Sequence, residues 1–420
     1  MSANIALAAG LLASLLKRTT KPPLLRSGIP PGISVVIPSR SGRELLARLL
    51  PQVVTQMQSW PSEIIIVDNG TEDNTVAWLA AQYPSVVVEI NSKPLSFARA
   101  VNRGIARARF SHVCLLNNDM VIEPNFFAAL LAAFQQVPDL FCATAQIFFP
   151  EGVRREETGK AVMPFHCPPH DFPLRCDLPI DGEDLTYVLY GSGGCSLYDT
   201  AKLHALGGFH ELFQPAYVED LDVGFRGWRL GWPSVFVAGA RLCHLHRATT
   251  SRYFSQRELD RVLEINYLRF LASAVTDPDT FRRLWRQAIQ RLELRGWFAH
   301  AWRAPLWVRP QPPSVIGDEE IFALGSGDIA VFPGQAPTGK PRALLVGDCL
   351  PVPGYDHISV TFASQAPQEL LQSCVEVVTV RPGSPAFHAT IRQTIRKWRP
   401  AVVYTEKALQ AEYGADCVLR

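Results

Sequence analysis

From Ile33 onward the chain alternates short apolar runs with stretches of helical periodicity. Ile33 to Ile37 reads as a first strand, closed by Pro38-Ser39-Arg40, and Glu63 to Val67 as a second, ending in Asp68-Asn69-Gly70. Val86 to Ile90 is a third, and Val113 to Leu116 a fourth that stops abruptly in Asn117, Asn118 and Asp119. Between them Glu44 to Gln58 has a helical period that Pro51 is expected to kink or split. Asp73 or Asn74 caps a helix running to about Tyr83, Phe97 to Arg109 forms another, and Pro124 opens one over Asn125 to Gln136. Single helices between strands imply right-handed crossovers and a parallel sheet. The expected class is therefore α/β, a Rossmann-like, mostly parallel sheet flanked by helices over residues 33–250, preceded by an apolar and linker segment at 1–32.

Asp68 and Asp119 end two different strands of that sheet. Open α/β sheets bind ligands outside the carboxyl ends of their strands. Converging carboxylates there are costly unless a cation or donor groups compensate them, which favours a ligand site. Plain turns remain the competing explanation, because Asn and Asp are ordinary turn residues.

Further along, Ala143 to Phe149 reads as a strand, and the long Pro- and charge-rich stretch 150–185 is expected to shape an acceptor pocket. Tyr190-Gly-Ser-Gly-Gly-Cys195 either lets backbone approach a ligand or forms a bulge. In Tyr217 to Trp232, Leu221, Phe225 and Trp228 make one buried stripe, Asp222 and Arg226 an i,i+4 pair, and Gly231 the stop. Glu219 and Asp220 then sit at a helix N-terminus, whose dipole favours the ionised carboxylate a general base requires; N-capping is the alternative. Ser234 to Leu242 is a strand running into Cys243-His-Leu-His246, where alternation allows at most one of the two histidines to serve a metal. Two helices, Gln256 to Val275 and Asp279 to Ala301, make a helical extension over 251–303. A Pro-rich linker is expected over 304–340, and Ala343-Leu-Leu-Val-Gly-Asp348, Val375 to Val380 and Ala401 to Tyr404 begin a partial second Rossmann-like segment at 341–420.

Bulk properties narrow the possibilities. Lys+Arg 41 against Asp+Glu 39 gives +2, so net charge supplies no case for nucleic acid. Nine scattered cysteines fit a reducing compartment better than a disulfide framework. His166, Cys167, His170 and Cys176 cluster, but interleaved prolines and irregular spacing make a poor zinc pattern. Ile5 to Leu16 is too short to span a bilayer and lacks the preceding charge of a signal peptide, which leaves a capping helix or a shallow membrane contact. No Gly-rich turn follows the first strand, and there is no phosphate-binding loop of the Lys-Ser/Thr type, so any phosphates must be held by a metal.

Four segments, Val35-Val-Ile-Pro-Ser39, Glu63-Ile-Ile-Ile-Val-Asp-Asn-Gly-Thr-Glu-Asp-Asn-Thr75, Phe97-Ala-Arg-Ala-Val-Asn-Arg-Gly-Ile105 and Leu115-Leu-Asn-Asn-Asp119, resemble in order and spacing the successive motifs of family 2 glycosyltransferases. The stretch around Glu219-Asp220, preceded by Leu206-Gly-Gly-Phe-His-Glu211, resembles that family's Glu-Asp motif. The resemblance implies a GT-A fold and inverting transfer from a nucleotide-diphosphate sugar. It assigns nucleotide-sugar binding to Pro38, Ser39, Arg40, Asp68, Asn102 and Asn118, with Asp68 at the base. It gives a divalent cation, Mn2+ or Mg2+, to Asp119 with His244, and the catalytic base to Asp220 beside Glu219. Gly193, Gly194 and Trp228 fall on the acceptor side. The chain departs from the pattern in three places: Arg40 and Ser41 replace an aromatic and Asn, the metal signature keeps only its last carboxylate, and His210 stands where Asp is usual. The C-terminal segment is weakly similar to the start of a GT-B glycosyltransferase, as in a fragment of a longer two-enzyme chain.

The expected activity is glycosyl transfer to a glycan or lipid-linked acceptor in surface polysaccharide synthesis, on the cytoplasmic side. A sugar nucleotidylyltransferase and a non-catalytic sugar-nucleotide scaffold are the rivals; the first would want a Gly-rich, Arg/Lys-bearing loop that is missing here. Residues 281–309 hold seven Arg and four Trp. Leu284, Ala288 and Leu292 edged by arginines suit a peripheral membrane contact, or a helix packed on the catalytic domain.

Overall fold

A helix, α1 (Ala3–Leu15), precedes the first strand, β1 (Ile33–Ser39), which is buried along nearly its whole length, as a strand covered by helices on both faces must be. The computed structural model describes residues 3–150, 155–156, 161–162, 171–173, 175–245, 254–413 and 415–416. The next elements follow the strand–helix alternation: α2 (Arg43–Met57), β2 (Ser62–Asn69), α3 (Thr75–Gln82), β3 (Val87–Asn91), α4 (Phe97–Arg107) and β4 (His112–Leu116). Pro51 does not split α2; it lies on the solvent side of one continuous helix, and the Thr55 hydroxyl donates to its carbonyl at 2.8 Å.

Beyond β4 come β5 (Met120–Ile122), α5 (Phe126–Gln136), β6 (Cys142–Phe148) and three two-residue strands, β7 (Arg155–Glu156), β8 (Ala161–Val162) and β9 (Arg175–Cys176). They are followed by β10 (Tyr187–Val188), β11 (Cys195–Asp199), α6 (Thr200–Ala205), α7 (Glu219–Arg229) and β12 (Ser234–His244). Apart from β8 and β9, which pair only with each other, these strands form a ten-stranded sheet in the order β10-β12-β6-β11-β4-β1-β2-β3, with β5 added to β12 and β7 to β6. The β4-β1-β2-β3 part is parallel; β11 runs antiparallel between β4 and β6. The architecture is thus the expected α/β one, a mixed and largely parallel sheet between helices. Sequence reading missed β5, and it matters: its antiparallel ladder with β12 sets His244 opposite Met120.

The chain continues through α8 (Gln256–Ala274), α9 (Pro278–Leu294) and a 3-10 helix (Phe298–Trp307). Residues 304–340 are not a plain linker. They hold the end of that 3-10 helix, α10 (Asp318–Leu324) and β13 (Ile329–Pro333). Then come β14 (Arg342–Val346), β15 (Asp356–Phe362), α11 (Gln368–Ser373), β16 (Glu376–Val380), α12 (Ala386–Trp398), β17 (Val402–Thr405), α13 (Lys407–Tyr413) and β18 (Ala415–Asp416). They build a second sheet, β13-β16-β15-β14-β17-β18, with β13 as an antiparallel edge. Arg229 of α7 pairs with Asp318 of α10 at 2.9 Å, both side chains almost wholly buried, and Phe225 packs on Phe322. Val331 in β13 donates to the Thr186 hydroxyl, tying the second sheet to the first.

His166, Cys167, His170 and His246, and nearly half of the proposed pocket-shaping loop at 150–185, lie outside the described residues. Asp222 and Arg226 are buried rather than surface partners. Arg226 also donates to the carbonyls of Leu206 and Gly208, so the pair fixes the Gly-Gly turn before α7.

Candidate active site

The carboxyl ends of β1, β2 and β4 lie side by side, Ser39 registering with Asp68 across β1 and β2. Beyond these ends opens a cleft of about 200 Å³ lined by Pro38, Ser39, Arg40, Asn69, Asn118 and Asp119 on one side and by Pro215 and Ala216 on another. Asn118 donates from Nδ2 to the Ser39 hydroxyl at 2.9 Å, joining two of the expected nucleotide-side residues. Asp68 is buried one residue before Asn69, with Oδ1 lacking a partner in the structure. A buried carboxylate oxygen left unpaired is costly. Asn69 is occupied structurally: it donates to the Leu95 carbonyl and accepts from the Leu95 amide, pinning the loop that forms the cleft wall.

Asp119 and His244 meet although 125 positions apart, because β5 and β12 pair just behind them. Nε2 of His244 lies 3.5 Å from Oδ2 of Asp119, and the Leu245 amide donates to the Asp119 carbonyl. The described residues contain no group of three or more His, Cys, Asp or Glu able to hold a metal. A carboxylate oxygen that lines the cleft and an imidazole nitrogen 3.5 Å from it nonetheless fit a hard divalent cation that takes its remaining ligands from water and a diphosphate.

Asp220 stands on the second residue of α7, across the strained turn that precedes the helix. Tyr217 and Val218 both have positive φ, 72° and 78°, which for a β-branched residue is a conformation only surrounding structure can impose. Asn266 of α8, fully buried, imposes it: Nδ2 donates to the carbonyls of Ala216 at 2.8 Å and Tyr217 at 3.0 Å. Nothing in the local pattern marked Asn266 beyond being a polar residue on a helix face that turned out to be buried.

The amides of Leu221 and Gly193 donate to the Asp220 carboxylate. Burial still dominates and pushes its pKa up to about 6. Glu219, more deeply buried and next to the Asp220 charge, is pushed up to about 8, and its Oε2 has no hydrogen-bond partner in the structure. Desolvation therefore outweighs the helix end for both carboxyls, and the Asp220 charge adds to the upward push on Glu219, so Asp220 is the more readily ionised of the two.

Gly193 and Gly194 connect the two sides. The Gly194 carbonyl accepts from the Asn117 amide at 2.8 Å, and a Cβ on Gly194 would fall 2.4 Å from the Asn117 side-chain nitrogen. Close approach is thus required here by the protein's own Asn117, which the motif reading included but gave no role. Two expected site residues are placed elsewhere. Asn102 is engaged by Phe209, donating to its carbonyl and accepting from its amide, so it clamps α4 to the Gly-Gly turn rather than lining the cleft. Trp228 does not reach an acceptor side: the indole is fully buried and its N–H donates to the Val188 carbonyl at 2.9 Å.

A family model described as glycosyltransferase like family 2 matches residues 30–258. The uncharacterized protein y4gI of Sinorhizobium fredii is 24% identical over 254 residues, covering 57% of this chain, and the match spans only 27% of that relative's length. An N-acetylglucosaminyl-diphospho-decaprenol L-rhamnosyltransferase of Mycobacterium tuberculosis is 26% identical over 213 residues, 46% of this chain and 69% of the relative. Among solved structures, GalNAc-T7 with UDP, GalNAc and Mn2+ superposes with a TM-score of 0.47 at 15% identity, over 64% of this chain and 55% of that one.

Proposed function

The chain belongs to the family 2 glycosyltransferases, and from that premise we propose an inverting transfer from a nucleoside-diphosphate sugar to a hydroxyl of a glycan or lipid-linked acceptor in surface polysaccharide synthesis. The observation that carries the proposal is geometric: Gly193 lies against Asp220 and Gly194 against Asn117, two residues before the Asp119 that meets His244. In the reaction the acceptor oxygen bonds to the anomeric carbon as the bond to the diphosphate breaks, and Asp220 takes the hydroxyl proton. Pro38, Ser39 and Arg40, with Asp68 and Asn118 behind them, hold the nucleotide side. Asp119 and His244 would hold Mn2+ or Mg2+, which when bound supplies Lewis-acid stabilisation to the departing diphosphate. The name of the mycobacterial relative, which carries a diphospho-decaprenol, favours a lipid-linked acceptor here as well.

Incubation with a panel of nucleotide sugars and Mn2+, reading released nucleoside diphosphate, tests the proposal. Asp220→Asn is expected to lower turnover on the order of 10²–10⁴-fold while sugar-nucleotide binding persists. Unchanged turnover in that variant would remove Asp220 from the mechanism. Binding without turnover by the native chain across the panel would leave a scaffold, and pyrophosphate release from a nucleoside triphosphate and a sugar phosphate would point to nucleotidyl transfer.

A further inference from the structure

Helix α1 is packed inside out. Its small residues Ala6, Ala9, Gly10 and Ala13 face the protein, and a Cβ on Gly10 would lie 2.1 Å from the Trp285 ring nitrogen. That indole donates to the Ala6 carbonyl, so α9 buries its own apolar stripe, Leu284, Trp285, Ala288 and Leu292, under α1. The large side chains of α1 point the other way: Leu11 is 51% exposed, Leu12 49% and Leu15 82%. The neighbouring 3-10 helix repeats the arrangement, burying Ala301 and Ala304 while Trp302 and Leu306 stand out at 46% and 69%. A contiguous apolar face of this kind marks an interaction surface.

The two segments that present this face carry one sign of charge, although neighbouring α9 exposes Asp279 and Glu293. No Asp or Glu occurs in residues 1–32 or 294–317. Lys17 turns inward and donates to the Leu271 carbonyl, but Arg18, Lys21, Arg26 and Arg303 are exposed and have no carboxylate partner among the described residues. The clefts alongside continue the pattern. One of about 360 Å³ is lined by Lys21, His210 and Arg309. Another of the same volume is lined by Arg261, Arg269 and Arg303, with Trp307 at its wall. Gln214 also lines that second cleft, and the next two residues, Pro215 and Ala216, line the candidate active site.

We propose that the outer face of α1 and the 3-10 helix docks on the surface of an anionic lipid bilayer. The exposed leucines and Trp302 enter the headgroup–acyl boundary, and the arginines and lysines around them meet lipid phosphates. The arrangement assigns the contact to α1 and the 3-10 helix instead of α9, whose apolar stripe is already covered. It uses none of the residues assigned to transfer, so it stands or falls separately from the proposed reaction.

Sedimentation of the full chain with phosphatidylcholine vesicles, with and without phosphatidylglycerol, and with no sugar nucleotide present, tests this. Binding is expected with the anionic vesicles, weakened by high salt and at least tenfold weaker in the double variant Leu12→Asp, Leu15→Asp and in the triple variant Arg18→Gln, Lys21→Gln, Arg303→Gln. Brominated lipid should quench native emission more than that of Trp302→Phe, a readout that does not depend on how the leucine variant folds. Protein left in the supernatant at low salt, binding unaltered by the leucine changes, or no difference in quenching would overturn the proposal. So would a dimer that the leucine variant dissociates, because a second copy would then be what covers the face.

Discussion

Glu219 and Asp220 are adjacent in sequence, and burial pushes both carboxyls up, Glu219 further because the Asp220 charge adds to it. Glu219 in the folded protein is pushed up to about 8 from an ordinary 4.5, so between those values the folded state keeps a proton that the unfolded chain has released. Stability from this group is complete below pH 4.5 and is lost as the pH rises through about 8. Glu219→Gln removes that loss. Its melting temperature should exceed that of the native protein at pH 9 and match it at pH 5, as followed by differential scanning fluorimetry. Because burial favours the protonated form of Glu219, the same variant should retain nearly native turnover at pH 7, whereas turnover of the native enzyme should fall as acid protonates Asp220 through about pH 6. The carboxylates themselves were legible in the sequence, since Asp68, Asp119 and Asp220 sit at a strand end or a helix start. Asn102 and Trp228 were not, because the partners that absorb their polar atoms, Phe209 and Val188, lie far along the chain.

Among the elements, the strands of the first half were readable because each is an uninterrupted apolar run closed by polar residues. The three residues of β5 gave no such signal, being too short for alternation to register, yet their pairing with β12 is what carries His244 to Asp119. Helix α8 shows the same limit. Its residue Asn266 holds the strained turn at Ala216 to Val218, which leads directly into Glu219 and Asp220. Asn266→Ala leaves two carbonyls without their donor, a cost of about 1–3 kcal/mol. Turnover should drop by roughly tenfold, the equivalent of about 1.4 kcal/mol, with little change in KM for the sugar nucleotide, because Pro38 to Arg40 are untouched. Steady-state kinetics with varied donor separates these parameters; a raised donor KM with unchanged kcat would contradict the assignment.

Across the whole molecule, the second sheet is joined to the first by a buried ion pair and not by a linker. Asp318 accepts from Arg229 and from the amides of Thr276 and Asp277, so a single carboxylate joins α7, α10 and the entry to α9. Asp318→Ala would strand the Arg229 guanidinium in the interior, a change that costs about 3–5 kcal/mol when one partner of a buried pair is lost. Urea unfolding followed by circular dichroism should show a midpoint lowered accordingly, with transfer activity lost at the same urea concentration. The proline content of 304–340 suggested a linker; α10 and β13 form there because Phe322 packs on Phe225 and β13 adds to the edge of β16. Such long-range partners are invisible to local periodicity.

The Gly193-Gly194 dipeptide has a consequence for the timing of the reaction. One of its residues touches Asn117, next to the nucleotide side, and the other donates to Asp220. With a single peptide unit between these contacts, there is no slack to absorb a displacement. In the proposed reaction, a diphosphate settling against the Asn117–Asp119 loop would be felt at Asp220 before any acceptor arrives, which would make the loaded donor the form that the acceptor recognises. The kinetics should therefore be sequential and ordered, donor first: nucleoside diphosphate competes with the sugar nucleotide but inhibits non-competitively against the acceptor. Replacing Gly193 with proline, which abolishes its N–H, should uncouple the two and let acceptor bind without donor.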